Sequence, residues 1–209
     1  MPIVYKKEHL SSVIAVWESN EESDFLIQKA VLTADEMALL RNFKSDSRKR
    51  EFLTVRALLQ ELFPAEKLLI NYSKNGKPNL SGKKNISISH TKNYVAIMVG
   101  EFSHGGIDLE TINERIFKLA TKFLNESEIK FTGFNPSIEK LQIIWGAKEV
   151  LYKIHEIGDV DFKKHLNVEE FTEAHSGNLY ASILKSGHEK RYHVHYETFA
   201  PMMITWASD

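Results

Sequence analysis

The 209-residue chain is predicted to fold as an α+β protein in two halves. Three observations carry this. Two long segments, 47–63 and 137–153, have apolar residues at helical spacing. Short runs that read as strands flank each of them and return as hairpins. The break Ser103-His104-Gly105-Gly106 separates the two sets, so the halves are expected at 1–102 and 103–209. Each half then reads as strand, short helix, long helix and hairpin strands over about a hundred residues, which is ordinary domain size.

Bulk composition narrows the function classes. Lys and Arg number 27 against 28 Asp and Glu. A net charge of −1 argues against a general nucleic-acid binder or a polybasic membrane anchor. The chain contains no cysteine, which excludes disulfides, thiolate metal sites and a cysteine nucleophile. No apolar run reaches the roughly 18 residues of a membrane span, and no signal-peptide pattern opens the chain. A cytoplasmic protein without nucleic-acid or membrane partners is the expectation.

In the first half, Ile3, Val4 and Tyr5, then Ser12 to Trp17, read as strands. Thr33 and Glu36 form a capping-box pattern for a helix running towards Phe43. The helix over 47–63 turns Phe52, Val55, Leu58, Leu59 and Leu62 to a core, and Pro64 ends it. It opens on Arg48-Lys49-Arg50 and carries Arg56. Positive charge at a helix N-terminus opposes the helix dipole, and that conflict hints at a phosphate partner. Asn75-Gly76-Lys77-Pro78 is a turn signal. Ile86 and Ile88 then alternate with Ser87 and Ser89, which predicts a half-buried strand ending at His90 and Thr91. A second strand returns over 94–99.

In the second half, Gly106-Ile107-Asp108-Leu109-Glu110 reads as a strand with both carboxylates on one face. Helices follow over 116–123, from Asn125 to the break at 133–136, and from Ser137 to Lys153, with Gly158 closing the connection. On the long helix Glu149 and Lys153 are four apart and share a face. If this helix packs on the strand, three carboxylates converge with an ammonium one turn further along. Oxygen-only donors of this kind suit Mg²⁺, which completes its shell with water and substrate phosphate. Strands are expected over 178–184, 191–198 and 201–206. His193 and His195, two apart on a strand, read as exposed alternation rather than a metal pair.

Alone, each segment is weak evidence, since Asp-x-Glu on a strand is more often a solvated face. Together and in this order they resemble the signature of Sfp-type 4′-phosphopantetheinyl transferases, (V/I)-G-(I/V)-D-x-E followed by W-(S/T)-x-K-E-(A/S)-x-x-K. This chain has Gly106 to Glu110, then Trp145-Gly146-Ala147-Lys148-Glu149-Val150-Leu151-Tyr152-Lys153. Gly146 stands where the family has a small hydroxyl residue, and Val150 where it has a small residue. Gly76-Lys77-Pro78 and Ile88-Ser89-His90-Thr91 also resemble family motifs.

The resemblance implies a fold of two pseudo-symmetric α+β halves, each an antiparallel sheet packed on a long helix, with coenzyme A between them. It implies Mg²⁺ on Asp108, Glu110 and Glu149, and chemistry carried by Glu149, Lys153 and Asp108. It further implies coenzyme A contacts from Arg50, Arg56, Gly76, Lys77, Pro78, Ser89, His90, Thr91, Lys148 and Lys153. The implied reaction moves the phosphopantetheine arm of coenzyme A to a serine of an apo acyl or peptidyl carrier protein, docked near 116–134, by a monomeric enzyme. Two other readings compete. A non-catalytic binder of coenzyme A or carrier protein would have no need of an intact Asp108, Glu110, Glu149 and Lys153. A Mg²⁺-dependent nucleotide hydrolase would have no need of the Gly-Lys-Pro and Ser-His-Thr motifs.

Overall fold

Alternating strand residues, helix caps and turn residues build a mixed α+β architecture with antiparallel sheets in the computed structural model, which describes residues 3–155, 160–185 and 187–209. The expected connection at Gly158 lies outside the described residues. The chain divides between Phe102 and Ser103 into two compact units.

In the first unit, β1 (Ile3–His9) and β2 (Ser12–Glu18) form a hairpin. Helices α1 (Ser23–Lys29), α2 (Ala34–Asn42) and α3 (Asp46–Leu62) follow. The short ribbon β3 (Ile70–Tyr72) and β4 (Pro78–Leu80) precedes the hairpin of β5 (Asn85–Thr91) and β6 (Tyr94–Gly100). The sheet runs β1-β2-β6-β5. Thr33 and Glu36 form the full capping box at α2. Helix α3 begins one residue before the expected Ser47, because Ser45 caps it by accepting the backbone N–H of Arg48. Its basic opening is matched locally: Lys49 donates to Asp46 at 3.3 Å and Arg48 to Glu51 at 3.1 Å. These pairs offset the dipole conflict read from the sequence. Phe52, Leu53, Val55, Leu58 and Leu59 are buried in a core shared with Trp17, Leu26 and Ile97.

The expected half-burial of β5 needs correction. Ser87 and Ser89 are both buried, while Ile88 is partly exposed. Both faces of this strand are covered, and small hydroxyl side chains occupy the tighter one.

In the second unit, β7 (Gly105–Thr111) leads to α4 (Arg115–Phe123), α5 (Glu126–Thr132) and α6 (Ile138–Ile154). Strands β8 (Leu166–Val168), β9 (Ser176–Lys185), β10 (His188–Phe199) and β11 (Met202–Ser208) complete it. The sheet order is β7-β11-β10-β9-β8. Ser137 caps α6 by accepting the Lys140 N–H. Leu141, Ile144, Ala147 and Leu151 bury the helix in a core with Leu179, Val194 and Met203. Helix α6 packs chiefly on β7 and β11, which brings the two chemically marked segments together.

Candidate active site and its family

Close approach of α6 to the sheet depends on two glycines. A Cβ on Gly106 of β7 would lie 2.7 Å from the Val150 carbonyl oxygen. A Cβ on Gly146 of α6 would overlap the Thr205 hydroxyl and lie 3.0 Å from its methyl carbon. Register places Thr205 opposite Asp108 and Met203 opposite Glu110. Asp108 and Glu110 therefore share the sheet face that carries Thr205 and core residue Met203, the face α6 covers.

On that face Lys153 donates to Oδ1 of Asp108 at 2.8 Å and to the Ile107 carbonyl at 2.8 Å. Trp145 Nε1 donates to Glu110 Oε1 at 3.3 Å. The indole is held by stacking on Phe162, with ring centroids 5.3 Å apart. Burial pushes the Glu149 carboxyl up to about 7. Asp108 and Glu110 push it the same way, and Lys153 opposes them. Burial and then Asp108 also raise the Glu110 carboxyl, against the Trp145 hydrogen bond and Lys153. Asp108 is thus close enough to act on the titration of both glutamates.

Residues 105–205 match the profile of the 4′-phosphopantetheinyl transferase superfamily. The match covers most of the second unit. A Synechocystis sp. protein named provisionally as a 4′-phosphopantetheinyl transferase is 26% identical over 140 residues, covering 60% of this chain. The alignment spans 57% of that relative's own length.

Asp108, Glu110, Trp145, Glu149 and Lys153 all lie within the matched residues 105–205. Among the described residues no three acidic or histidine side chains stand as a preformed metal cage, and the ammonium of Lys153 occupies Asp108 Oδ1. The donor chemistry nevertheless fits a hard divalent cation. Three carboxyl groups face the Lys153 ammonium, and two of them are held above their ordinary range by burial and then by the neighbouring Asp108. Asp108, Glu110 and Glu149 are the residues that would hold Mg²⁺.

Lys148, expected at a phosphate, lies in the core of the second unit. Its side chain is fully buried and donates to Glu128 Oε2, the Phe123 carbonyl and the Phe162 carbonyl at 2.7, 2.6 and 2.9 Å. All three ammonium protons are used inside the core. Glu128 also accepts the N–H groups of Asn125 and Val168. The pair is a structural clamp, and its partner lies 20 residues upstream on another helix.

The first-unit residues divide between two pockets. Arg48, Glu51, Phe52, Arg56, Gly76 and His90 are among those lining one. Its wall includes Pro78, and His90 Nδ1 stands 3.5 Å from Glu51. Arg50 lines a different pocket with Ser47 and Lys92. Arg48 shares one helix face with Phe52 and Arg56 and lines the first pocket with them. Arg56 is buried with its Nε donating to Glu36 at 2.8 Å and its guanidinium 3.3 Å over the Phe52 ring. It reaches the pocket with its charge already matched. Gly76 has φ +82°, and the Lys77 N–H donates to Ser73 Oγ at 3.2 Å, which fixes the turn. Ser89 is buried on the strand face opposite His90, so it does not share that pocket. Thr91 is on the same face as Ser89. His193 is exposed and bonded to Asn178.

Proposed function

We propose that the chain is an Sfp-type 4′-phosphopantetheinyl transferase, moving the phosphopantetheine arm of coenzyme A to a serine of an apo carrier protein. The observation that carries this reading is the Asp108–Glu110–Glu149–Lys153 cluster inside the superfamily-matched domain. The first-unit pocket of Arg48, Gly76, Pro78 and His90 supports it as the phosphate and nucleotide subsite. Lys77, in the turn between Gly76 and Pro78, belongs to the same reading.

The reaction is phosphoryl transfer. The serine oxygen bonds to the β-phosphorus as the bond from that phosphorus to the bridging oxygen breaks, and 3′,5′-ADP leaves. Charge gathers on phosphate oxygens, so stabilisation by fixed positive charge is the main catalytic need. Lys153 turns its ammonium from Asp108 to the departing α-phosphate. Glu149 takes the serine proton, directly or through a water. Mg²⁺, when bound, supplies charge neutralisation at the pyrophosphate.

The partner surface in this reading is α4 and α5. Phe117, Ile129 and Phe134 are exposed there, beside the exposed Arg115, Lys118, Lys122 and Lys130. Four exposed cations against the exposed Glu114 and Glu126 leave this surface net positive, which suits an acidic helix. The test is release of 3′,5′-ADP from coenzyme A with and without apo carrier protein. Release that requires the carrier supports transfer. Release at the same rate without it would make the protein a hydrolase.

A further inference from the structure

Gly146 sits inside α6, where glycine weakens a helix. The reason lies across the interface: the Thr205 side chain of β11 fills the notch that the missing Cβ leaves. Thr205 is 2% exposed and stands opposite Asp108 in the β11–β7 register. Gly146 precedes Glu149 by three residues and Lys153 by seven, so all three follow one face of α6. One interlocked pair therefore joins the strand that borders Asp108 to the helix turn that carries Glu149. Packed interiors transmit small shifts, so the depth of this interlock sets how far Glu149 and Lys153 stand from Asp108 and Glu110.

We propose that Thr205 is a positioning residue for the divalent-cation site, acting through its interlock with Gly146; this rests on the transferase reading of that site. Bulk at this junction can come from the strand or from the helix, but not from both. A hydroxyl side chain added at 146 must collide with Thr205, whereas the exchange G146S/T205A moves the hydroxyl from β11 to α6. After that exchange the nearest remaining side-chain atom is the Cβ at 205, 3.3 Å from the Cβ at 146. That is tight but within the reach of a small adjustment.

The test is Mn²⁺ binding by electron paramagnetic resonance to the full chain without coenzyme A. Wild type, G146S, T205A and G146S/T205A are compared, with D108N as the site control and thermal melting on every variant. G146S is expected to weaken Mn²⁺ binding by about tenfold or more, the size of a lost supporting contact at a metal site. The exchange variant is expected to return to within about threefold of wild type. Helix propensity alone predicts the opposite for G146S, since leaving glycine strengthens a helix. Wild-type affinity in G146S, or an exchange variant as weak as G146S, overturns the proposal. Should G146S fail to fold, T205A decides: weakened binding in a folded protein supports the interlock, and unchanged binding overturns it. Wild type without D108N-sensitive Mn²⁺ binding would instead defeat the metal-site reading itself. In that event recovery of the melting temperature in the exchange variant still judges the interlock.

Discussion

The ammonium of Lys153 stands 2.8 Å from Oδ1 of Asp108 and also donates to the backbone carbonyl of Ile107. One lysine thereby offsets part of the negative charge of the cluster. Lys153→Met should raise the Glu149 carboxyl above its value of about 7, because an opposing positive charge is lost. Carboxyl ¹³C titration of the metal-free protein checks this; an unmoved Glu149 would contradict the coupling. Transfer should fall by about a hundredfold or more, the scale of losing a charge aimed at the leaving group.

Glu149 also predicts how metal-free stability responds to pH. Its carboxyl is raised from 4.5 to about 7 in the fold. The folded state therefore binds more protons than the unfolded state between those values. Stability from this group is fully present below about pH 4.5 and is lost as pH rises through 7. Urea unfolding with EDTA at pH 5 and pH 8 measures the loss. Glu149→Gln mimics the neutral carboxyl, so it should stabilise the metal-free protein at pH 8 by on the order of 1 kcal/mol or more and flatten the pH dependence. The same variant should lose Mg²⁺-induced stabilisation at pH 8. Destabilisation at pH 8 would contradict the assignment.

The buried Lys148–Glu128 pair predicts a stability effect rather than a phosphate effect. Lys148→Met leaves Glu128 buried without its cation and should cost about 3–5 kcal/mol. The double variant K148M/E128L should recover much of that, because both charges leave together. Denaturant midpoints across the cycle decide it; a double variant as unstable as K148M would contradict the clamp.

Coenzyme A affinity separates the first-unit residues. Arg48→Ala and His90→Ala should each weaken binding by about 1–2 kcal/mol, while Ser89→Ala, on the other strand face, should leave it unchanged. Isothermal titration of coenzyme A measures all three. Equal losses in all three would remove the pocket assignment.

Much of this was legible before any coordinates. The Asp108–Glu110 alternation and the Glu149–Lys153 spacing are local patterns that the backbone translates directly into faces. The box at Thr33 and Glu36 and the cap at Ser137 are equally local. What sequence reasoning missed depends on tertiary neighbours. Nothing around Lys148 announces that Glu128 and two carbonyls enclose it. Alternation in β5 suggests one solvated face, and only the fold covers Ser87 and Ser89. Gly146 reads as a weak helix position until Thr205, 59 residues on in the chain, is seen to fill its notch. The ribbon β3–β4, strand β8 and helix α1 are too short to carry a periodic signal.

The most direct measurement is the intact mass of an apo acyl carrier protein incubated with this protein, coenzyme A and Mg²⁺. Wild type, Glu149→Gln and an EDTA control run in parallel. The account predicts a mass gain of one phosphopantetheine arm with wild type, abolished by EDTA and by E149Q. A gain that persists in E149Q at the wild-type rate would contradict the role of the carboxylate cluster. No gain with fatty-acid, polyketide or peptidyl carrier proteins would contradict the transferase reading.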